Sequence, residues 1–192
     1  MRKGARSITT CAILLALIVV GGFIRIPVGA VPITLQTLFV LLAGGIGGKR
    51  IGALAVVIYI AMGLIGIPIF SGGGGITYVL YPTFGYLIGF IFAALIAGVA
   101  KSGFKKRLVC NLIGVVVIHL IGVWYFYFAA NFALQFRDAL MQTIADNPIY
   151  AGAEVGLWQA FLTGSLIFLP IDIISAIISA LIANKVYPLI NK

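Results

Sequence analysis

Acidic residues are nearly missing from this sequence. Its 192 residues include four Asp and Glu against thirteen Lys and Arg, and charged residues of both signs make up only 9%. An ordinary soluble domain carries about 25% charged residues, so this chain has too little charge to cover a water-facing surface. Because 62% of its residues are hydrophobic and its mean hydropathy is +1.21, we expect an integral membrane protein.

Residue patterns that carry catalysis or bind metals are also scarce. The chain has two cysteines, Cys11 and Cys110, and one histidine, His119, with no pair at metal-ligand spacing. It contains no H-E-x-x-H, G-x-S-x-G or Walker motif, and no two carboxylates on one predicted helix. We therefore expect no enzyme activity, no metal and no cofactor, and any ATP hydrolysis would come from partner subunits. Basic residues cluster at helix ends without interleaved aromatic residues, which argues against nucleic acid as a ligand.

Long apolar runs predict an all-α fold of six transmembrane helices, with residues 1–192 forming one membrane domain. The runs lie at 8–24, 31–48, 51–69, 80–100, 107–134 and 155–184. The basic start and the first run look like a signal peptide, but the further apolar runs favour a first span. Glycines and Pro68 interrupt the second and third runs. A broken helix at membrane depth is tolerated only where protein or a water-filled cavity satisfies the backbone polar groups.

The distribution of basic residues predicts the orientation in the membrane. With the N-terminus in the cytoplasm, eleven of the thirteen Lys and Arg fall on the inner side, and only Arg25 and Arg137 fall outside. This is the asymmetry of the positive-inside rule, so we expect both termini in the cytoplasm. The acids Asp138, Asp146 and Glu154 share the outer segment 135–154 with Arg137, where water can solvate them.

Asp172 lies inside the sixth apolar run, where a carboxyl group is costly unless it is paired or faces a cavity. Pro170, two residues earlier, frees backbone groups and favours a bend. We therefore predict a functional site at Asp172, with Ser175 one turn on along the same helix face. The alternative is a carboxyl that hydrogen bonds to a neighbouring helix, for example to His119 or Asn111 in the fifth run.

Glycine and other small residues recur at positions that matter for packing and loop shape. Four consecutive glycines, Gly72, Gly73, Gly74 and Gly75, separate the third and fourth runs. Glycine suits a loop that approaches a ligand or moves, so we expect this loop to serve conformation and not packing. Small residues also recur four apart, a spacing that lets helices approach closely inside a bundle or against a partner. These pairs are Ala12/Ala16, Gly44/Gly48, Gly85/Gly89 and Ala93/Ala97.

Three sequence blocks within residues 31–90 follow one another in a recognisable order: VPITLQT, GLIGIPIF with the glycine loop, and PTFGYLIGF. In this order and spacing they closely resemble the BioY family, the biotin-specific substrate-binding (S) components of energy-coupling factor transporters. The resemblance implies six membrane helices and high-affinity capture of biotin from outside. It also implies docking on a transmembrane coupling protein driven by two cytoplasmic ATPases, in the plasma membrane of a prokaryote.

The resemblance implies roles for particular residues. The small-residue motif of the family's first helix looks like Ala12 and Ala16, which would dock on the coupling protein. In the sixth helix, Pro170 and Asp172 match the family pattern, but Ser175 stands where the family has a lysine. Asp172 would then need another cation or would accept the two N–H groups of the ureido ring of biotin.

Several residues near the outer side would complete a biotin site. The glycine loop would act as a lid over an outward-facing pocket, with Gly72, Gly73, Gly74 and Gly75 as its mobile residues. The tyrosine rings would supply flat apolar walls with a polar tip, and Arg25 would meet the ligand carboxylate or serve as an interfacial residue. The predicted ligand-binding residues are Asp172, Tyr78, Tyr81, Tyr86, Thr34, Gln36, Ser175 and Arg25.

Other functions stay open at this point. A self-sufficient oligomeric transporter built around Asp172 and His119 predicts flux without ATPase partners and a pH-dependent rate. A membrane enzyme using the same two residues as acid and base predicts turnover, although it lacks a nucleophile or metal motif. Within the S-component class, the Ser175 position leaves another vitamin, such as thiamine or riboflavin, as an alternative ligand.

Overall fold

A computed structural model describes residues 2–26, 32–135 and 156–190 of the chain. Its α-helices, in chain order, are α1 (Arg2–Phe23), α2 (Gln36–Leu64), α3 (Phe84–Ala97), α4 (Phe104–Gln135), α5 (Leu157–Phe161) and α6 (Leu169–Ile190). Between α1 and α2, the strands β1 (Arg25–Ile26) and β2 (Ile33–Thr34) pair antiparallel. A 3-10 helix, Ile76–Leu80, precedes α3, and a π-helical turn, Leu162–Leu166, lies between α5 and α6.

Within the described ranges, four helical segments are long and apolar enough to cross a membrane. They are Gly4–Phe23, Gln36–Leu64, Phe104–Asn131 and Leu169–Ile190, and α3 is a shorter apolar helix of 14 residues. The sequence-based expectation of a mostly helical, multi-span membrane protein is therefore confirmed. The predicted second and third runs, at 31–48 and 51–69, both fall largely within α2. The charged residues of the predicted outer segment, Arg137, Asp138, Asp146 and Glu154, lie outside the described residues.

Helix α2 consists of two segments that meet at Gly48, whose φ of 70° and ψ of −179° are not helical. The Nε2 of Gln36 donates to the hydroxyl of Tyr59 at 2.7 Å. In a straight helix these residues would lie roughly 35 Å apart, so the second segment folds back along the first. The two segments touch where a Cβ on Gly52 would lie only 2.5 Å from the backbone oxygen of Ala43. We call this paired unit the α2 hairpin.

Small residues set the spacing between the α2 hairpin, α3 and α4. A Cβ on Gly44 would lie 2.2 Å from the backbone oxygen of Ala94 in α3. Gly85 and Gly89 of α3 are packed in the same way against α4. These glycines permit approaches between helices that a larger residue would block, and they explain the Gly85/Gly89 pair as a contact inside the bundle. In the Gly44/Gly48 pair only Gly44 makes such a contact, because nothing lies within 4 Å of the Cβ position of Gly48.

The other pair of interest, Ala12 and Ala16, has a different environment. Both residues are exposed on α1, while Leu14 and Ile18 of the same helix are buried against the core. Helix α1 therefore presents a face with two small residues to its surroundings.

The glycine loop folds tightly against the end of the α2 hairpin. The backbone of Phe70 pairs with that of Gly73, and the Gly75 N–H donates to the Gly63 oxygen at 2.7 Å. Gly73 and Gly75 have φ angles of 120° and 114°, a region that favours glycine strongly. At these two positions glycine serves backbone conformation, as the sequence predicts.

Gly74 serves packing instead, which corrects the expectation for this residue. A Cβ on Gly74 would lie 2.4 Å from the backbone oxygen of Ile67 and 3.1 Å from that of Gly63. Any side chain at this position would therefore push the loop away from the end of the α2 hairpin. Gly72 has more room, because the nearest atom to its Cβ position is on the Tyr78 ring at 3.4 Å.

Candidate functional site

A pocket lies where the start of α2, the segments on either side of the glycine loop, α3, α4 and the start of α6 converge. Its walls combine aromatic and aliphatic side chains with a smaller number of polar groups, as in sites that bind small organic molecules. The residues that line it are Pro32, Ile33, Thr34, Gln36, Thr37, Ser71, Tyr78, Thr83, Tyr86, Leu87, Phe90, Ile118, His119, Phe168, Ile171 and Asp172.

Five of the eight predicted ligand-binding residues line this pocket: Asp172, Tyr78, Tyr86, Thr34 and Gln36. They come from four separate parts of the chain, and the fold brings them to one place. Tyr86 is held in position because its hydroxyl donates to the backbone oxygen of Gly164 in the π-helical turn. The hydroxyl groups of Thr34 and Tyr78 and the amide of Gln36 give the pocket neutral hydrogen-bonding groups.

The other three predicted residues do not line the pocket. Tyr81 stacks on the outer face of Tyr78, with 5.0 Å between ring centroids, and so supports the wall from behind. Ser175 is buried on α6, one turn beyond Asp172. The Nη1 of Arg25 donates to the backbone oxygen of Ser71, which places this guanidinium beside the glycine loop and the pocket edge.

The four residues predicted to form a lid lie next to the pocket and do not line it. Ser71, immediately before them, and Tyr78, three residues after them, are both lining residues. Gly72, Gly73, Gly74 and Gly75 thus connect two parts of the wall, and Gly74 is packed against the α2 hairpin. Their role as a lid stays a prediction.

The carboxylate of Asp172 is paired across two helices. His119 Nε2 on α4 lies 3.0 Å from Oδ2 of Asp172 on α6, and the two residues are only 6% and 7% exposed. His119 is thus the partner, because the amide of Asn111 donates instead to the backbone oxygen of Ala176 at 3.0 Å. The other carboxylate oxygen, Oδ1, has no hydrogen-bond partner among the residues that the structure describes. Asp172 therefore has one oxygen held by the protein and one available for a donor.

Gln36 is fixed at the pocket wall by a buried network. Its Nε2 donates to the hydroxyl of Tyr59 at 2.7 Å, and that hydroxyl donates to the backbone oxygen of Ile69 at 3.2 Å. Phe70 packs edge-on against the Tyr59 ring. This network joins both segments of the α2 hairpin to the loop that carries the glycines.

We expect Tyr59→Phe to destabilise the fold. Removing the hydroxyl leaves a buried amide donor on Gln36 and a buried carbonyl on Ile69 without partners, at a cost of about 1 to 3 kcal/mol. Thermal unfolding in detergent measures this. Tyr81→Phe is the matched control, since the Tyr81 hydroxyl has no partner among the described residues. Equal melting temperatures for the two variants would contradict the role of the network.

Some pocket residues were not anticipated. The apolar wall includes Leu87, Phe90, Ile118 and Phe168, which in sequence look like any other core residues. The sequence predicts His119 only as a possible partner of Asp172 or as part of an alternative transporter or enzyme built around both residues. Its position in an apolar run, like that of Asp172, was the available signal.

The sequence predicts Arg107 as one of a cluster of basic residues at a helix end on the inner side, and the structure shows that it is buried, with 1% exposure. Its Nη1 and Nη2 donate to the backbone oxygens of Gly45 at 2.8 Å and Lys101 at 2.6 Å. Its guanidinium also lies 4.8 Å from the ring centroid of Tyr187. Arg107 therefore joins α2, α4 and α6 at the end of the bundle away from the pocket.

A second, nearly all-apolar groove lies between α4 and the α5–α6 region. Among the described residues that line it, only His119 and Ser165 carry polar side chains apart from the indole groups. Its lining residues are Val116, His119, Leu120, Val123, Trp124, Leu157, Trp158, Phe161, Ser165 and Leu169.

The fold and the first pocket define a class of protein, a helical membrane bundle with a pocket of the kind that binds small organic molecules. Comparison with known proteins makes this more specific. The BioY family model matches residues 1–192, so the chain belongs to the BioY family. The resemblance found in residues 31–90 is thereby confirmed over the whole chain.

Individual relatives agree with this assignment. A probable biotin transporter BioY of Lysinibacillus sphaericus is 41% identical over 192 residues, covering 97% of this chain and 89% of the relative. The biotin transporter BioY of Thermotoga maritima is 34% identical over 184 residues, covering 94% and 95%. The crystal structure of an S-component for biotin from an ECF-type ABC transporter is similar with a TM-score of 0.79 and 26% identity, covering 97% of this chain and 93% of that one.

Proposed function

We propose that this chain is the high-affinity biotin-binding S component of an energy-coupling factor transporter and captures biotin from outside the cell. The observation that carries the proposal is the buried Asp172 carboxylate, which lines a pocket with neutral hydrogen-bonding groups and apolar walls and has one oxygen without a hydrogen-bond partner among the described residues. The relatives named as biotin transporters support biotin as the ligand.

The proposed binding mode follows from the chemistry of biotin. Its ureido ring has two N–H donors, and a carboxylate accepting them in a dry pocket makes strong, charge-assisted hydrogen bonds. The apolar wall formed by Leu87, Phe90 and Ile118 suits the bicyclic ring, with Tyr86 at its side. Thr34, Gln36 and Tyr78 would provide further hydrogen bonds. Ser175 is not part of the proposed site, because it does not line the pocket.

The carboxylate tail of biotin would lie towards the pocket edge. No lysine or arginine is among the described residues that line the pocket. Arg25 contacts Ser71 at the edge of the pocket and pairs with Thr34 through the β1–β2 ribbon. Its remaining N–H groups would meet the tail.

The glycine loop would act as the lid that opens and closes over the ligand. Its position between the lining residues Ser71 and Tyr78 supports this role, because movement of the loop would shift both. In the present conformation Gly74 packs against Ile67 and the Gly75 N–H donates to the Gly63 oxygen, so opening of the lid would break these contacts with the end of the α2 hairpin.

The proposed membrane arrangement has six crossings in one domain, with both termini in the cytoplasm of a prokaryotic cell. The α2 hairpin would supply the second and third crossings, with its turn at Gly48 on the inner side next to the exposed Lys49 and Arg50. This arrangement places the glycine loop outside and most basic residues inside.

The proposed partners are the transmembrane coupling protein and two cytoplasmic ATPases of the energy-coupling factor module. Ala12 and Ala16 support a docking face on α1, because both are exposed and their small side chains permit close helix contact. ATP hydrolysis would then belong to the partners, and the chain itself would not be an enzyme.

We expect Ala16→Phe to abolish biotin uptake in cells that contain the whole transporter while leaving biotin binding by the isolated chain within about twofold of wild type. The bulky ring would hold the coupling protein away from α1, whereas the pocket is formed by other helices. Ile178→Phe, at an exposed position on α6, is the control and should leave both properties unchanged. Normal uptake by the Ala16 variant would remove this face from the docking proposal.

Isothermal titration of the purified protein in detergent tests the proposed function. We expect saturable one-to-one binding of biotin without partner subunits, and no binding of thiamine or riboflavin. If one of those vitamins bound tightly instead, the chain would still be an S component, but its ligand would be that vitamin and not biotin. Failure to bind all three would overturn the proposal and leave the self-sufficient transporter built on Asp172 and His119 as the hypothesis to test.

A further inference from the structure

His119 is the one side chain that holds the Asp172 carboxylate among the residues that the structure describes. The two residues sit on different helices and both line the pocket. An ionised carboxylate can only accept hydrogen bonds, so the Nε2 of His119 must carry the proton that joins them. The bond fixes Oδ2, and Oδ1 is left for the ligand.

The second ring nitrogen of His119 indicates which charge state this arrangement suits. Nδ1 is buried and has no hydrogen-bond partner in the described part of the chain. In a neutral ring protonated at Nε2, Nδ1 is a bare acceptor. In a protonated ring it would become a buried N–H without an acceptor, which is costly. The geometry therefore favours a neutral His119 beside a charged Asp172.

The surroundings of the pair contain no other described group that would balance the carboxylate. Tyr86 from α3 faces the His119 ring edge-on at a centroid distance of 6.3 Å, and Tyr78 is the other titratable residue in the pocket lining. Arg107, about three turns earlier on α4, donates to backbone oxygens there. The negative charge of Asp172 is thus available to a ligand that brings N–H donors.

From this geometry we infer that His119 is a positioning residue for the ligand. It holds one oxygen of Asp172 so that the other faces the pocket and can accept from the N–H donors of the ligand. The inference rests on the proposed function, since it requires a ligand that donates hydrogen bonds to Asp172.

Titration calorimetry with biotin on His119 variants tests the inference. His119→Phe removes the donor and should weaken biotin binding about tenfold or more. His119→Gln keeps a side-chain N–H at a similar reach and should restore affinity to within about threefold of wild type. Equal losses in the two variants would show that ring packing, not the hydrogen bond, is what matters, and would overturn the inference.

A double-mutant cycle separates positioning from a general structural role. In an Asp172→Asn background, His119→Phe should have almost no additional effect, because the residue acts through the carboxylate. Additive effects of the two substitutions would contradict the inference.

Asn111→Leu is the matched control. Asn111 lies two turns from His119 on the same face of α4 and also donates to α6, but it does not line the pocket. We expect this variant to melt at a lower temperature and to bind biotin with wild-type affinity. An affinity loss equal to that of His119→Phe would overturn the inference.

A wild-type protein that binds no biotin would overturn the proposed function and this inference together, whereas normal biotin binding by His119→Phe would overturn the inference alone.

Discussion

Asp172→Asn is expected to weaken biotin binding by about 10- to 150-fold, which corresponds to the loss of about 1.5 to 3 kcal/mol from a hydrogen bond to a charged group. The asparagine oxygen can still accept the bond from His119 Nε2, which turns the amide N–H groups towards the pocket. The amide N–H groups of the asparagine would then face the N–H groups of the ureido ring, and neither can accept a hydrogen bond from the other. Calorimetry with the purified variant measures the change.

The same substitution should alter stability much less than affinity. It keeps the size of the side chain and its contact with His119, so we expect the melting temperature without ligand to stay close to that of wild type. Ser179→Ala is the matched control for biotin affinity. Ser179 is buried two turns further along the same face of α6, but it does not line the pocket. Wild-type affinity in Asp172→Asn would remove Asp172 from the site.

Gly44→Ala is expected to reduce the free energy of unfolding by about 3 kcal/mol, at the upper end of the usual cost of overpacking. The added methyl group would lie 2.2 Å from the backbone oxygen of Ala94 and 2.8 Å from the Cβ of Ala97. Neither atom belongs to a flexible side chain, so α3 as a whole must move away from the α2 hairpin. Unfolding in mixed detergent and denaturant measures the difference.

Gly4→Ala provides the control for this prediction. Gly4 also lies in a helix, α1, but nothing would approach its Cβ within 4 Å. Alanine favours helix over glycine by about 1 kcal/mol, so this variant should be as stable as wild type or slightly more stable. An equal free energy of unfolding for Gly44→Ala and Gly4→Ala would contradict the close contact between α2 and α3.

The sequence carries enough information to predict the membrane class and the position of the main polar group. Asp172 stands out because a carboxyl group is so rarely tolerated within an apolar run. The partner of Asp172 is harder to predict, since His119 and Asn111 are both polar residues of the same apolar run. Only the rotation and depth of α4 against α6 decide that His119 reaches the carboxylate and Asn111 reaches Ala176.

Local pattern also fails to separate residues that look equivalent in sequence. Tyr78, Tyr81 and Tyr86 follow the glycine loop at short spacing, yet Tyr81 stacks on Tyr78, as side chains three residues apart in a 3-10 helix can, and does not line the pocket. The four loop glycines also look alike, yet Gly73 and Gly75 adopt positive φ angles while Gly74 makes room for the backbone of a distant segment.

Arg107 resembles the exposed lysines beside it in the sequence. It is buried because backbone oxygens of distant segments, at Gly45 and Lys101, meet its guanidinium in the folded bundle. Contacts of this kind depend on how whole helices pack, so no local pattern could predict them.

The most direct test of the central claim is an experimental structure of the complex with biotin. The proposed function expects the bicyclic ring in the pocket between Tyr86 and the start of α6, with a ureido nitrogen within hydrogen-bond distance of Asp172 Oδ1. It also expects the tail to point towards Arg25. Biotin in the apolar groove between α4 and the α5–α6 region, or in the pocket with its carboxylate at Asp172, would contradict the claim.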